Sequence, residues 1–145
     1  MDQQQAAGKG YPFEWRGKTY YLSPLTLEIM AGFIAWLKRT LLDEARKYLP
    51  ADEYDSLRTR VLVQKIAWNT QHVADALSTV DGSSEYLRLL LGEQAKGWTN
   101  QDLQDLQQDK ALEAARTGRK SDLALAIEML REDATPKAGQ PTTGG

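Results

Sequence analysis

Few residues in this chain are of a type that could carry chemistry. The one histidine, His72, stands in a stretch that reads as helix. Trp68, Asn69, Asp75 and Ala76 sit at the three- and four-residue spacings that share its face. Asp75 could orient the ring, but general acid–base work needs a positioned titratable pair. The chain has no cysteine, and no serine occupies those spacings as a nucleophile. His72 is therefore expected to be a helix-surface or interface residue. Asp102, Asp105 and Asp109 also share one helix face. A cation site would want more ligands at converging positions, so a solvated acidic face is the expectation. Gly92-Glu93-Gln94-Ala95-Lys96-Gly97 has the ingredients of a phosphate loop in the wrong order. Its lysine precedes the second glycine, Trp98 follows, and the stretch comes after a helix rather than a strand. It reads as a helix C-terminus and a connecting loop. No catalytic, cofactor-binding or metal-ligating set is assigned, and the chain is not expected to be an enzyme.

The basic residues form no clear nucleic-acid surface. Lys38, Arg39, Arg46, Lys47, Arg58, Arg60 and Lys65 are interspersed with Asp43, Glu44, Asp52, Glu53 and Asp55. Intrahelical pairing on a solvated surface accounts for them. Residues 1–65 carry ten Lys/Arg and eight Asp/Glu, and residues 66–145 carry eight and twelve. Neither half has the basic excess of a nucleic-acid binder.

The elements that position these residues follow from periodicity. Phe13-Glu14-Trp15-Arg16-Gly17-Lys18-Thr19-Tyr20-Tyr21-Leu22 places aromatic and β-branched residues around a glycine, as a short hairpin does. Phe13 and Trp15 alternate with Glu14, and Tyr20 and Leu22 with Tyr21, so one face is apolar. A lone hairpin is marginal in water; this one must pack on helices or pair with another strand. Ser23-Pro24 suits an N-cap and a first helical position, which predicts a helix over 24–49. Its apolar residues spread well beyond a single stripe. A second helix is expected over 52–78. A turn at Asp81-Gly82-Ser83 leads to a third helix over 84–94. Thr99 to Asp102 resembles a capping box and opens a fourth helix over 100–116. Ser121 caps a last helix over 122–131. The fold class is thus mainly α, a short N-terminal hairpin followed by a bundle of about five helices. Residues 1–10 read as a flexible leader, 11–132 as a single domain and 133–145 as a disordered tail.

Composition sets the remaining bounds. The 145 residues, 41% of them hydrophobic, suffice for one core. No apolar run approaches the roughly 18 residues of a membrane span. The start, Met1-Asp2-Gln3-Gln4-Gln5, lacks the basic and apolar regions of a secretory signal, so a cytoplasmic protein is expected. Four tryptophans and six tyrosines are many for this length. Several stand on helices whose apolar stripe exceeds one buried face. Such a surface either self-associates into a homo-oligomer or grips amphipathic helices of a partner.

Two stretches carry a resemblance. Phe13-Glu14-Trp15-Arg16-Gly17-Lys18-Thr19-Tyr20-Tyr21-Leu22-Ser23-Pro24-Leu25-Thr26 resembles the opening of tail assembly chaperones of long-tailed bacteriophages. Gly97-Trp98-Thr99-Asn100-Gln101-Asp102-Leu103 resembles a later helix start in the same proteins. The resemblance implies a non-catalytic protein that binds and solubilises the tape measure protein and helps recruit tail tube protein. It implies a place in the host cytoplasm and absence from the mature virion. On this reading Phe33, Trp36, Trp68 and Tyr86, chosen for size and helical placement, contribute to the client surface. A structural virion component, such as a head-to-tail connector or tail protein, is the alternative. A small regulatory nucleic-acid-binding protein is the second alternative.

Overall fold

The computed structural model describes residues 10–134. The expected leader and tail lie outside them, apart from Gly10 and from Asp133 and Ala134, which close the last helix. The described residues form an antiparallel hairpin and six α-helices, the mainly α architecture expected from the periodicity. Strands β1 (Tyr11–Trp15) and β2 (Lys18–Leu22) are followed by α1 (Leu27–Arg46), α2 (Ala51–Val63) and α3 (Gln71–Leu77). Then come α4 (Val80–Leu91), a 3-10 turn (Gly92–Ala95), α5 (Asn100–Thr117) and α6 (Asp122–Ala134). Contacts gather into two compact units. The middle unit is Leu27–Tyr86, and the hairpin unit is formed by the residues on either side of it. The division falls inside α4, between Tyr86 and Leu87.

In the hairpin unit, the two-residue turn Arg16-Gly17 has φ of 51° and 76°. Two successive positive values make the turn type whose twist matches that of the paired strands. They set Phe13 opposite Tyr20 and Trp15 opposite Lys18. Phe13, Trp15 and Leu22 are buried, so the apolar face read from the alternation is the inner one. The hairpin packs on a helix: β1 lies against α6. The edge of β2 is covered by a side chain. The Gln94 amide accepts from Tyr21 N–H at 2.9 Å and donates to Tyr21 C=O at 2.7 Å, satisfying both groups of an edge residue. Ser23 N–H donates to Leu90 C=O at 2.9 Å.

Helix ends follow local chemistry in the same unit. Thr99 and Asp102 form a reciprocal capping box, with Asp102 N–H to Thr99 Oγ1 at 3.1 Å and Thr99 N–H to Asp102 Oδ2 at 2.8 Å. Helix α5 stops at Gly118 (φ 71°), whose N–H returns to Ala114 C=O. Ser121 Oγ accepts from Ala124 N–H at 3.1 Å and opens α6.

Several helix boundaries differ from expectation, three of them with a cause in the local contacts. Helix α1 begins at Leu27, not Pro24, because Ser23 is engaged elsewhere: its N–H ties to Leu90 and its hydroxyl donates to Pro24 C=O. The helix expected over 52–78 is two, α2 and α3, with residues 64–70 between them. Gln64 turns to an extended conformation, and Thr70 caps α3 by accepting from Val73 N–H. Asp81-Gly82-Ser83 is not a turn but the start of α4, which Thr79 caps by accepting Gly82 N–H on its hydroxyl at 2.9 Å. Within the middle unit α1 packs on α2, and Leu42, Tyr54 and Val61 form their shared core with Ala45, Leu49 and Leu57 around it.

Candidate functional site

Phe33, Trp36, Trp68 and Tyr86 come from three separate elements of the middle unit and meet in one aromatic cluster. Phe33 lies 5.4 Å from Trp36, 5.7 Å from Trp68 and 6.2 Å from Tyr86 between ring centroids. Trp68 and Tyr86 are 6.0 Å apart. The Phe33 contacts to Trp68 and Tyr86 are edge-on, the geometry that ring quadrupoles favour. The four residues do not share one exposure. Phe33 and Tyr86 are buried, while Trp36 and Trp68 are half-buried. Any direct contact with a partner in this conformation therefore falls to the two tryptophans, with Phe33 and Tyr86 supporting them from below.

A groove opens in the same unit. Its volume is about 660 Å³, within the range of roughly 300–1,000 Å³ usual for binding pockets. One wall is α1, through Ala31, Ile34, Ala35 and Lys38. The other is the end of α2 and the segment after it, from Leu62 to Ala67. Leu62 and Val63 are 51% and 75% exposed, so the apolar wall faces solvent. The groove and the aromatic cluster adjoin along the chain, since Phe33 precedes Ile34 and Trp68 follows Ala67. Sequence periodicity puts Leu62 and Ile66 on a second apolar side of a continuous helix. That surplus of apolar residues is the signal for the groove. Its location depends on the break after Val63, which the periodicity does not contain.

The residues whose types could carry chemistry have other duties. His72 is exposed on α3. Asp102 belongs to the capping box. Asp105 accepts from Gln101 at 2.8 Å and lies 3.7 Å from the Arg16 guanidinium. Asp109 accepts the Trp15 indole N–H at 2.9 Å. The three aspartates thus tie α5 to its own cap and to the hairpin rather than converging on a cation. Among the described residues no group of His, Asp or Glu is arranged to hold a metal ion. Residues 92–97 form the 3-10 turn and a following turn, with positive φ at Gly92 and Gly97. Of the basic residues, Arg46 donates to Tyr54 Oη at 3.0 Å and lies over its ring, and Lys47 pairs with Glu44 at 3.5 Å.

Two ionisable groups in the hairpin unit are displaced from their ordinary behaviour. Desolvation pushes the Asp122 carboxyl up. The Lys110 ammonium hydrogen bond, the backbone N–H groups of Glu14 and Leu123 and the Lys110 charge outweigh it, and the group is held below 3.8. The Tyr11 phenol is pushed up to about 12 by its hydrogen bond to Asp133, by burial and by the carboxylate charge. Both join the hairpin to α6, Tyr11 through Asp133 and Asp122 through Glu14 N–H. No helix among the described residues is long and apolar enough to cross a membrane. No protein-family model, curated protein or solved structure matches the chain.

Proposed function

We propose that this protein is a non-catalytic chaperone that binds and solubilises the tape measure protein during phage tail assembly. The observation that carries the reading is the open apolar groove of the middle unit, walled by exposed Leu62 and Val63 and by the small residues of α1. A client rich in amphipathic helix offers the complementary surface, an apolar stripe that otherwise aggregates. Trp36 and Trp68, partly exposed and close to the groove residues in the chain, supply the large amphipathic rings favoured where binding energy concentrates. The resemblance of residues 13–26 and 97–103 to tail assembly chaperones names the client. The site of action would be the host cytoplasm, and the protein would be absent from the finished particle.

The test is co-expression with the large, helix-rich tape measure protein, followed by pull-down and a solubility assay. The expected result is a soluble tape measure protein that co-purifies with this chain. If nothing binds and the chain instead sediments with assembled particles, a structural virion role replaces the chaperone reading.

A further inference from the structure

The groove of the middle unit is apolar except at a few places, and its charges are all cationic. Lys38 and Lys65 are the only charged residues that line it. Among the described residues neither lysine is ion-paired, whereas Lys47, Lys110, Lys120 and Arg16 each have a carboxylate within ion-pair distance. Lys38 Nζ instead donates to the Gln64 carbonyl, at the C-terminus of α2. That contact uses one of three ammonium donors and fixes the charge across the groove from α1. A helix C-terminus attracts a cation, so the position has a local cause. The ammonium nevertheless keeps two donors for an incoming acceptor. Lys65 follows Gln64 directly in the opposite wall.

The shape adds a second constraint. The α1 wall runs from Ala31 to Lys38, two helical turns or about 10 Å. Ala31, Ala35 and Ala67 contribute little side-chain bulk, so larger apolar side chains can enter from outside. An occupant helix would place residues at i, i+3 or i+4, and i+7 into such a length.

We propose that this groove binds a two-turn stretch of amphipathic helix whose bulky apolar stripe is flanked by carboxylates, which meet Lys38 and Lys65. The inference rests on the chaperone reading only in taking the natural client to dock here. The groove's preference for acid-flanked helices stands on its own geometry. Apolar burial supplies most of the attraction, and the two rim charges supply selection, since like charges juxtaposed at an interface suppress the wrong partner.

The test uses the full chain and two synthetic helical peptides with the same leucine stripe, one flanked by glutamate and one by lysine. Binding is followed by anisotropy of the labelled peptides. The glutamate peptide is expected to bind about five- to tenfold more tightly at low salt, and the ratio to shrink as salt rises. The double variant Lys38→Gln with Lys65→Gln is expected to bind both peptides alike. Ala35→Trp is expected to fill the groove and weaken both. Equal affinity of the two peptides for the unmodified chain overturns the proposal. So does a preference that survives the double glutamine variant. Concentration-dependent dimerisation that Leu62→Glu abolishes also overturns it, by giving the groove to a second copy. Discrimination between peptides without capture of the tape measure protein would sink the functional reading and leave this inference standing. Capture without discrimination would do the reverse.

Discussion

The Lys110 ammonium lies 2.7 Å from the Asp122 carboxylate, with only 8% of the lysine side chain exposed. Asp122 also accepts Glu14 N–H at 2.9 Å. One carboxylate thus joins α5, α6 and the hairpin. Asp122→Ala leaves Lys110 with the Glu113 carboxylate at 3.5 Å and deprives a strand N–H of its acceptor. The expected loss is about 1–3 kcal/mol, moderated because Asp122 is itself partly exposed. Glu113→Ala should cost under about 1 kcal/mol. Urea midpoints of the two variants check the order.

The same carboxyl makes stability depend on acid. Desolvation raises its native value, but the Lys110 and Glu14 hydrogen bonds outweigh that and hold it below the ordinary 3.8 of the unfolded chain. The folded state therefore binds fewer protons than the unfolded one in that window. The contribution is fully present above 3.8 and is lost as pH falls through the lower native value. Asp122→Asn should be less stable at neutral pH, and its deficit should narrow below 3.8. Denaturant midpoints measured across that range test it, and a deficit that stays constant would exclude Asp122 as the source.

Two glycines predict different costs for the same substitution. Gly17 has φ of 76° and open space where a methyl would go, so Gly17→Ala meets only backbone strain, about 1 kcal/mol. Gly82 sits in a helix with ordinary φ, yet a Cβ there would fall 1.8 Å from the Ala76 carbonyl oxygen. Gly82→Ala must push α3 and α4 apart and should cost more than about 2 kcal/mol. Thermal midpoints of the two variants decide this; equal losses would mean that the α3–α4 approach yields easily.

Gly82 also marks where local sequence stops determining structure. Aspartate, glycine and serine in a row are turn residues by local chemistry, and here they open a helix because the glycine allows a close backbone approach. The break at 64–70 is the converse. Gln64 to Thr70 contains no glycine or proline, and its apolar spacing continues the helix before it. The chain leaves the helix where Trp68 packs on Phe33 and Tyr86, contacts with residues far off in sequence. The legible features are local ones: the Arg16-Gly17 turn, the Thr99–Asp102 box and the Ser121 cap. Size singles out the four clustered aromatics; the helical placement expected of them holds for Phe33, Trp36 and Tyr86 but not for Trp68, which lies in the break. Which of them reach solvent depends on the break, and so is not legible.

That difference in exposure separates stability from binding within the cluster. Phe33 is fully buried and touches the other three rings. Phe33→Ala should cost about 3–5 kcal/mol through the lost transfer energy and the cavity left behind. It should reduce client capture only by unfolding the middle unit. Trp36 is half-buried and contacts Phe33 at one side. Trp36→Ala should cost less, about 1–2 kcal/mol, and leave the unit folded. On the proposed function it should still weaken client binding, as should Trp68→Ala. Circular dichroism with denaturant midpoints establishes folding, and pull-down of the tape measure protein reads binding. A folded Trp36→Ala, Trp68→Ala double variant that captures the client as well as the unmodified chain would remove both rings from the client surface and leave the aromatic cluster as core alone.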